Sequence, residues 1–238
     1  MTKNQQILAK MGEGSLALLL SLGLGQQASA TTLVSNLPPI TQNPTQGRDI
    51  NHNQWLSSSF TTGSASYGYT LNSVTLFLAL KPDTPVDPGS LFLRLYENAS
   101  GDPGSAIPGG NFNVPTITSP GQYTFTLTNP QQLASNTTYW LVAGASNIAG
   151  TYLWGHTGQS ADDGLAGWSI GNTGVYNVNQ GNWSSLTGGG TLQFSVNGTV
   201  NTPPTPPTNI PEPGSVVALL GLGGLGLASR MKKLSNRA

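Results

Sequence analysis

Apolar and polar residues alternate with a period of two in several separate stretches of the chain. Val74, Leu76, Leu78 and Leu80 alternate with Thr75, Phe77 and Ala79. Leu91, Leu93 and Leu95 alternate with Phe92, Arg94 and Tyr96, and Tyr123, Phe125 and Leu127 with Thr124, Thr126 and Thr128. Leu192, Phe194 and Val196 repeat the pattern against Gln193, Ser195 and Asn197. This period is that of a strand with one buried and one wet face. Tyr139-Trp140-Leu141-Val142-Ala143 is apolar throughout, which predicts a central strand covered on both faces. Turn chemistry separates the runs: Pro82-Asp83, Asp87-Pro88-Gly89, Gly101-Asp102-Pro103-Gly104, Asn129-Pro130 and Ser135-Asn136. No apolar run between 31 and 210 holds a helical period for three turns. The pattern predicts an all-β fold, an antiparallel β-sandwich of jelly-roll or Ig-like kind with about eight to ten strands. Residues 155–190, rich in Gly, Asn and Ser, read as a loop region.

The two ends follow a different logic. Lys3 and Lys10 precede the run Leu16 to Leu24, which is followed by Ala28-Ser29-Ala30. A positive start, an apolar stretch and small residues before the cut form a secretory signal peptide, here predicted as a helix over residues 1–30 and cleaved between Ala30 and Thr31. At the other end, Pro211-Glu212-Pro213 is followed by an uncharged stretch from Gly214 to Ser229 and then by Arg230, Lys232 and Lys233. The basic cluster acts as a cytoplasmic stop, which places the preceding domain outside. Sixteen helical residues reach about 24 Å, short of the roughly 30 Å hydrocarbon core. So short an apolar helix suits transient membrane contact and removal; the alternative is a retained, slightly short anchor. Residues 201–210, with four prolines, form an extended linker between the 31–200 domain and the 211–238 tail.

This order of PEP motif, Gly/Leu-rich span and Arg/Lys cluster resembles the PEP-CTERM sorting signal of Gram-negative bacteria. The resemblance implies export through the Sec translocon and signal peptidase. It further implies an inner-membrane intermediate, processing by an exosortase-type protease at Pro211, Glu212 and Pro213, and delivery to the cell surface or an exopolysaccharide matrix. Within the domain, YTLNSVTLFLAL (69–80), LRLYENASGDPG (93–104), YTFTL (123–127) and TTYWLVAG (137–144) resemble the choice-of-anchor R domains. That family is a surface β-domain and brings no molecular activity with it.

Charge and composition exclude several roles. Between 31 and 210 lie three basic and seven acidic side chains, a formal charge of −4 without a basic stripe, which offers no footprint for nucleic acid. The chain has no cysteine, so the domain holds together without disulfides and cysteine chemistry is excluded. Gly167-Trp168-Ser169-Ile170-Gly171 matches the spacing of a nucleophile elbow, but no helix-forming segment follows it and no histidine occurs after His156. Asp49 precedes His52 by three residues with no identifiable nucleophile. The expectation is a protein that is not an enzyme, with a structural or adhesive role, and the rival reading as a secreted hydrolase is weaker. No cofactor is expected. Calcium is the metal whose oxygen ligands the Asp-rich turns match, at Asp162 and Asp163, or Asp83 with Asp87, though no full ligand spacing is present. The stronger rival is a carbohydrate-binding module, with polysaccharide as partner. Trp168 and Trp183 sit among Gly, Ser and Asn, where an exposed indole can stack on a sugar ring.

Overall fold

A computed structural model describes residues 30–38, 47–82, 89–148, 151–158, 163–186 and 190–204. The helices expected at both ends, the cleavage residue Ala28, Asp83, Asp87 and Asp162 lie outside the described residues. So do Pro211, Glu212, Pro213, Arg230, Lys232 and Lys233.

Strands β1 (Thr31–Ser35), β2 (Gly47–Ile50), β3 (Gln54–Thr61) and β4 (Tyr69–Leu80) open the domain. They are followed by β5 (Leu91–Ala99), β6 (Asp102–Asn113), β7 (Gly121–Leu133), β8 (Thr138–Ala145) and β9 (Tyr152–Thr157). The last are β10 (Asp163–Gly164), β11 (Ser169–Asn177), β12 (Asn182–Ser185), β13 (Thr191–Leu192) and β14 (Phe194–Val200). All pairings are antiparallel, and no helix occurs among the described residues. The strands form one curled 14-stranded sheet in the order β10-β1-β14-β4-β7-β6-β5-β8-β3-β11-β12, with β9 pairing β4, β2 and β13 beside that path. The predicted strand number was too low, and the two halves of the sheet are continuous through β6. That strand pairs β5 along Asp102 to Asn111 and β7 at Phe112 and Asn113.

The inward faces of both halves meet in one buried cluster. Val74, Leu76, Phe125, Phe194 and Val196 come from one half, and Leu56, Phe60, Leu93, Leu95 and Leu141 from the other. Phe60 and Phe194 touch across it, ring centroids 6.5 Å apart. The central strand β8 lies between β5 and β3 and is buried on both faces, as its unbroken apolar run predicts. In β7, Phe125 and Leu127 are buried while Thr124, Thr126 and Thr128 are exposed.

Three departures from the pattern have local causes. Asn129-Pro130 does not end a strand. Thr126 pairs with Ser73 but Gln131 with Leu71, so the intervening residues bulge out of the β4 ladder, where proline is tolerated. The turn expected at 101–104 lies two residues earlier: Ala99 pairs with Asp102, and Ser100 and Gly101 both have positive φ, 56° and 98°, as a tight primed hairpin turn requires. The stretch 192–196 is two strands, because Gln193 changes partners. Its N–H donates to the Gly155 carbonyl at 2.8 Å, after which the chain leaves β9 for β4.

Candidate functional site

The region expected to be a loop, 155–190, contributes the end of β9 and all of β10, β11 and β12. Its alternation is hidden because a register shift between Ile170 and Thr173 moves the inward phase, and because the outward positions are mostly Gly, Asn and Ser. The G-x-S-x-G serine, Ser169, is therefore the first residue of an extended strand, paired with Thr61.

Trp168 does not lie at the surface. It is 7% exposed, stacked on Phe60 at 5.9 Å and 10° between planes, with Tyr69 edge-on at 4.8 Å. The physical reason is its position on the crossing from β10 to β11, which joins the two ends of the curled sheet. A large apolar ring placed there fills the core between Phe60 and Tyr69. This corrects the expectation of an exposed indole at Trp168.

Trp183 lies elsewhere, half-buried on the outer face of the edge strand β12. Cross-strand register aligns it with Tyr176 on β11 and Trp55 on β3. Ring centroids are 5.0 Å apart for Trp183–Tyr176 and 5.1 Å for Tyr176–Trp55, the latter pair stacked at 27°. Phe92 of β5 continues the row, edge-on to Trp55 at 5.1 Å, and Arg94 closes it with its guanidinium 4.7 Å from the Phe92 centroid. Trp183, Tyr176 and Trp55 stand on neighbouring strands and Phe92 reaches Trp55 over Gly144 of the intervening β8, so the row runs across the sheet. Two glycines make room for it. A Cβ on Gly144 would collide with Phe92 and Trp55, and one on Gly174 would sit 2.7 Å from Ser57 Oγ and 3.5 Å from Trp183 Cε3. Tyr176, Trp55 and Phe92 were not singled out by sequence reasoning. The signal available was their fixed place relative to the hairpin β11–β12, which the hidden alternation of β11 obscured.

The remaining candidates are scattered. Asp163 is exposed in the two-residue strand β10, and among the described residues no group of three His, Cys, Asp or Glu could hold a metal ion. Ala30 is exposed and Thr31 opens β1, opposite Gly198. Asp49 makes an ion pair with Lys81, so its carboxylate is engaged away from His52. A shallow polar groove of about 510 Å³ at the ends of β5 and β8 is lined by Glu97, Asn98, Asn136, Thr137, Thr138 and Tyr139. Asn98 there accepts a hydrogen bond from the buried Trp140 Nε1 at 2.9 Å.

His156 on β9 is held below its ordinary value of 6.5, first by burial and then by the positive charge of Arg48. The folded state therefore binds the proton less readily than the unfolded chain. The stability contributed by the neutral ring is fully present above about pH 6.5 and is lost as pH falls through the depressed folded value. We expect the melting temperature to fall on acidification below 6.5, and to fall less steeply in His156→Gln. Melting curves of both proteins from pH 7.5 to 4.5 check this, and parallel curves would assign the acid sensitivity to the carboxylates instead.

Against known proteins, the family described as the PEP-CTERM protein-sorting motif matches residues 209–233. No curated protein and no solved structure matches the chain. The match spans Pro211-Glu212-Pro213, the apolar stretch and the basic cluster through Lys233. The chain carries a C-terminal signal of the kind that directs export and sorting by exosortase.

Proposed function

We propose that this is an exported, non-catalytic protein of the cell surface or the exopolysaccharide matrix, processed at both ends. The observation that carries the reading is the sorting motif at 209–233. On this reading the Sec translocon and signal peptidase release the chain at Ala30–Thr31 and exosortase cuts near Pro211–Pro213, after an inner-membrane intermediate in a Gram-negative bacterium. The short apolar tail supports transient rather than permanent membrane contact. The β-domain is then a choice-of-anchor R-like module whose two half-sheets form the layers of a sandwich. The cross-core contact of Phe60 with Phe194 supports that layering. Its role is structural or adhesive.

A second reading, favoured by the half-buried Trp183 and the rings beside it, makes the domain a carbohydrate-binding module.

Intact mass of the protein recovered from its native cell surface tests the first reading. A chain running from Thr31 to near Pro211, with or without an added group, is the expected result. A mass that still contains Arg230 to Ala238 would replace it with a membrane-anchored protein.

A further inference from the structure

We propose that the outer face of β3, β11 and β12 binds a neutral polysaccharide chain, seated on Trp183 at the edge of the aromatic row and held by the amide-bearing loops beside it. The inference deepens the carbohydrate-binding reading and rests on it; it does not depend on how the tail is processed.

Three observations meet at this place. The first is the aromatic row itself. Rings usually bury their faces in a core, whereas this row stands on the face of the sheet opposite the buried cluster. Gly174 leaves the indole of Trp183 resting on the β11 backbone side without an intervening Cβ, and the ring remains partly open to solvent. A pyranose with equatorial hydroxyls presents an apolar C–H face to such a ring. Tyr176 has Trp55 stacked on one side and Trp183 on the other, so Trp183, on the edge strand, is the ring left with a face for a sugar.

The second is hydrogen-bonding chemistry at the margin. The β2–β3 turn and the β11–β12 turn are tied together, the Val178 N–H donating to the Asn53 carbonyl at 3.0 Å. Each is stiffened by its own asparagine: Asn51 Oδ1 accepts from the Asn53 N–H at 2.9 Å, and Asn177 Oδ1 from the Asn179 N–H at 3.0 Å. The exposed amides Asn53, Asn179, Gln180 and Asn182 thus sit on a pre-formed rim. Side-chain amides both donate and accept, which matches vicinal hydroxyl pairs. Beneath the row, Trp55 Nε1 and Ser57 Oγ are buried with no hydrogen-bond partner among the described residues.

The third is charge. From residue 164 to residue 200 the sequence contains no Asp, Glu, Lys, Arg or His. β11, β12 and their turn are therefore neutral. An anionic polymer would find no cation on β11, β12 or their turn, Arg94 lying at the far end of the row on Phe92. Aromatic rings plus amides without charge fit an uncharged polyol.

Native affinity electrophoresis of the protein recovered from the cell surface tests this, with hydroxyethylcellulose, xylan, galactomannan or dextran cast in the gel. Alginate serves as the anionic comparison. At least one neutral polymer should retard the protein. Trp183→Ala should weaken the retardation about tenfold or more, Trp183→Phe and Gln180→Ala by less, and Thr126→Ala on the other half-sheet not at all. The phenylalanine and Gln180 variants keep the test intact if the alanine variant misfolds, which polymer-free gels reveal. Retardation that none of the Trp183 and Gln180 variants changes would overturn this site while leaving the carbohydrate reading standing. No retardation by any neutral polymer would overturn both. Preference for alginate would overturn the neutral ligand class, and loss of binding in Thr126→Ala alone would move the site to the opposite face.

Discussion

Trp154→Ala destabilises the β-domain by about 3–5 kcal/mol, a fifth or more of the roughly 5–15 kcal/mol that holds a typical domain folded. Trp154 is 0% exposed and lies on β9, which like β4 pairs with three other strands. Its ring sits where β2, β4 and β9 meet, paired in register with Arg48 on one side and Leu78 on the other. The indole Nε1 donates to the Gln193 carbonyl at 2.8 Å. That carbonyl also accepts from the Phe77 N–H at 3.3 Å, so a single acceptor ties β9 and β4 to the point where the chain passes from β13 to β14. Truncation removes the ring volume and leaves a cavity among strands whose pairing cannot close over it. Trp154→Phe keeps most of the volume and removes the donor. Because Phe77 still satisfies the carbonyl, the loss there is about 1–2 kcal/mol. Urea unfolding followed by circular dichroism measures both. Equal losses in the two variants would show that the hydrogen bond, and not the packing, holds the junction.

What could be read from the chain depended on whether burial left a regular trace. Leu91, Leu93 and Leu95 are all buried, and the alternation found them because β5 holds one phase through them. In β4 the phase is not constant: Leu71, Val74, Leu76 and Leu78 are all in the core, and the register shift between Leu71 and Ser73 is what lets them be so. There the run after the bulge was long enough to read. In β11 the bulge falls early, after Ile170, and only Ile170 and Val175 reach the core from a strand otherwise made of small and polar residues. The strand left no period, and the aromatic row that depends on its register was invisible. β6, with Pro103, Pro108, Gly109 and Gly110, was hidden for a related reason. Local signals that normally punctuate strands were overridden by pairing to β5 and β7 on either side. Trp168 was misplaced because composition describes the neighbours of a residue along the chain, while the rings that bury it come from β3 and β4. The C-terminal signal was the most legible part, since a sorting motif is recognised as sequence and needs no tertiary context.

That legibility permits the second large prediction. Glu212→Gln abolishes processing of the tail, and replacement of Pro211, Glu212 and Pro213 together by alanine does so completely. Glu212 is the only acidic residue after Asp163, and the basic cluster of Arg230, Lys232 and Lys233 lies across the apolar stretch from it. In so neutral a segment, one carboxylate between two prolines is the distinguishing chemical feature. Proline carries no N–H and restricts its own φ and the residue before it, so the motif differs from its neighbours in backbone chemistry as well as in charge. The glutamine variant preserves shape and hydrogen-bonding length and removes the charge alone. Its product should remain in the membrane fraction with the tail attached, as intact mass reads directly. Glu212→Asp, which keeps the charge on a shorter arm, should be processed in part. The substitutions lie outside the β-domain, so the melting temperature should not move. If the glutamine variant is cut as efficiently as the parent, the charge of Glu212 is not what the protease reads, and recognition passes to the prolines or to the apolar stretch. If the triple-alanine variant is cut as well, the motif at 209–233 does not direct the cleavage and the exosortase reading falls.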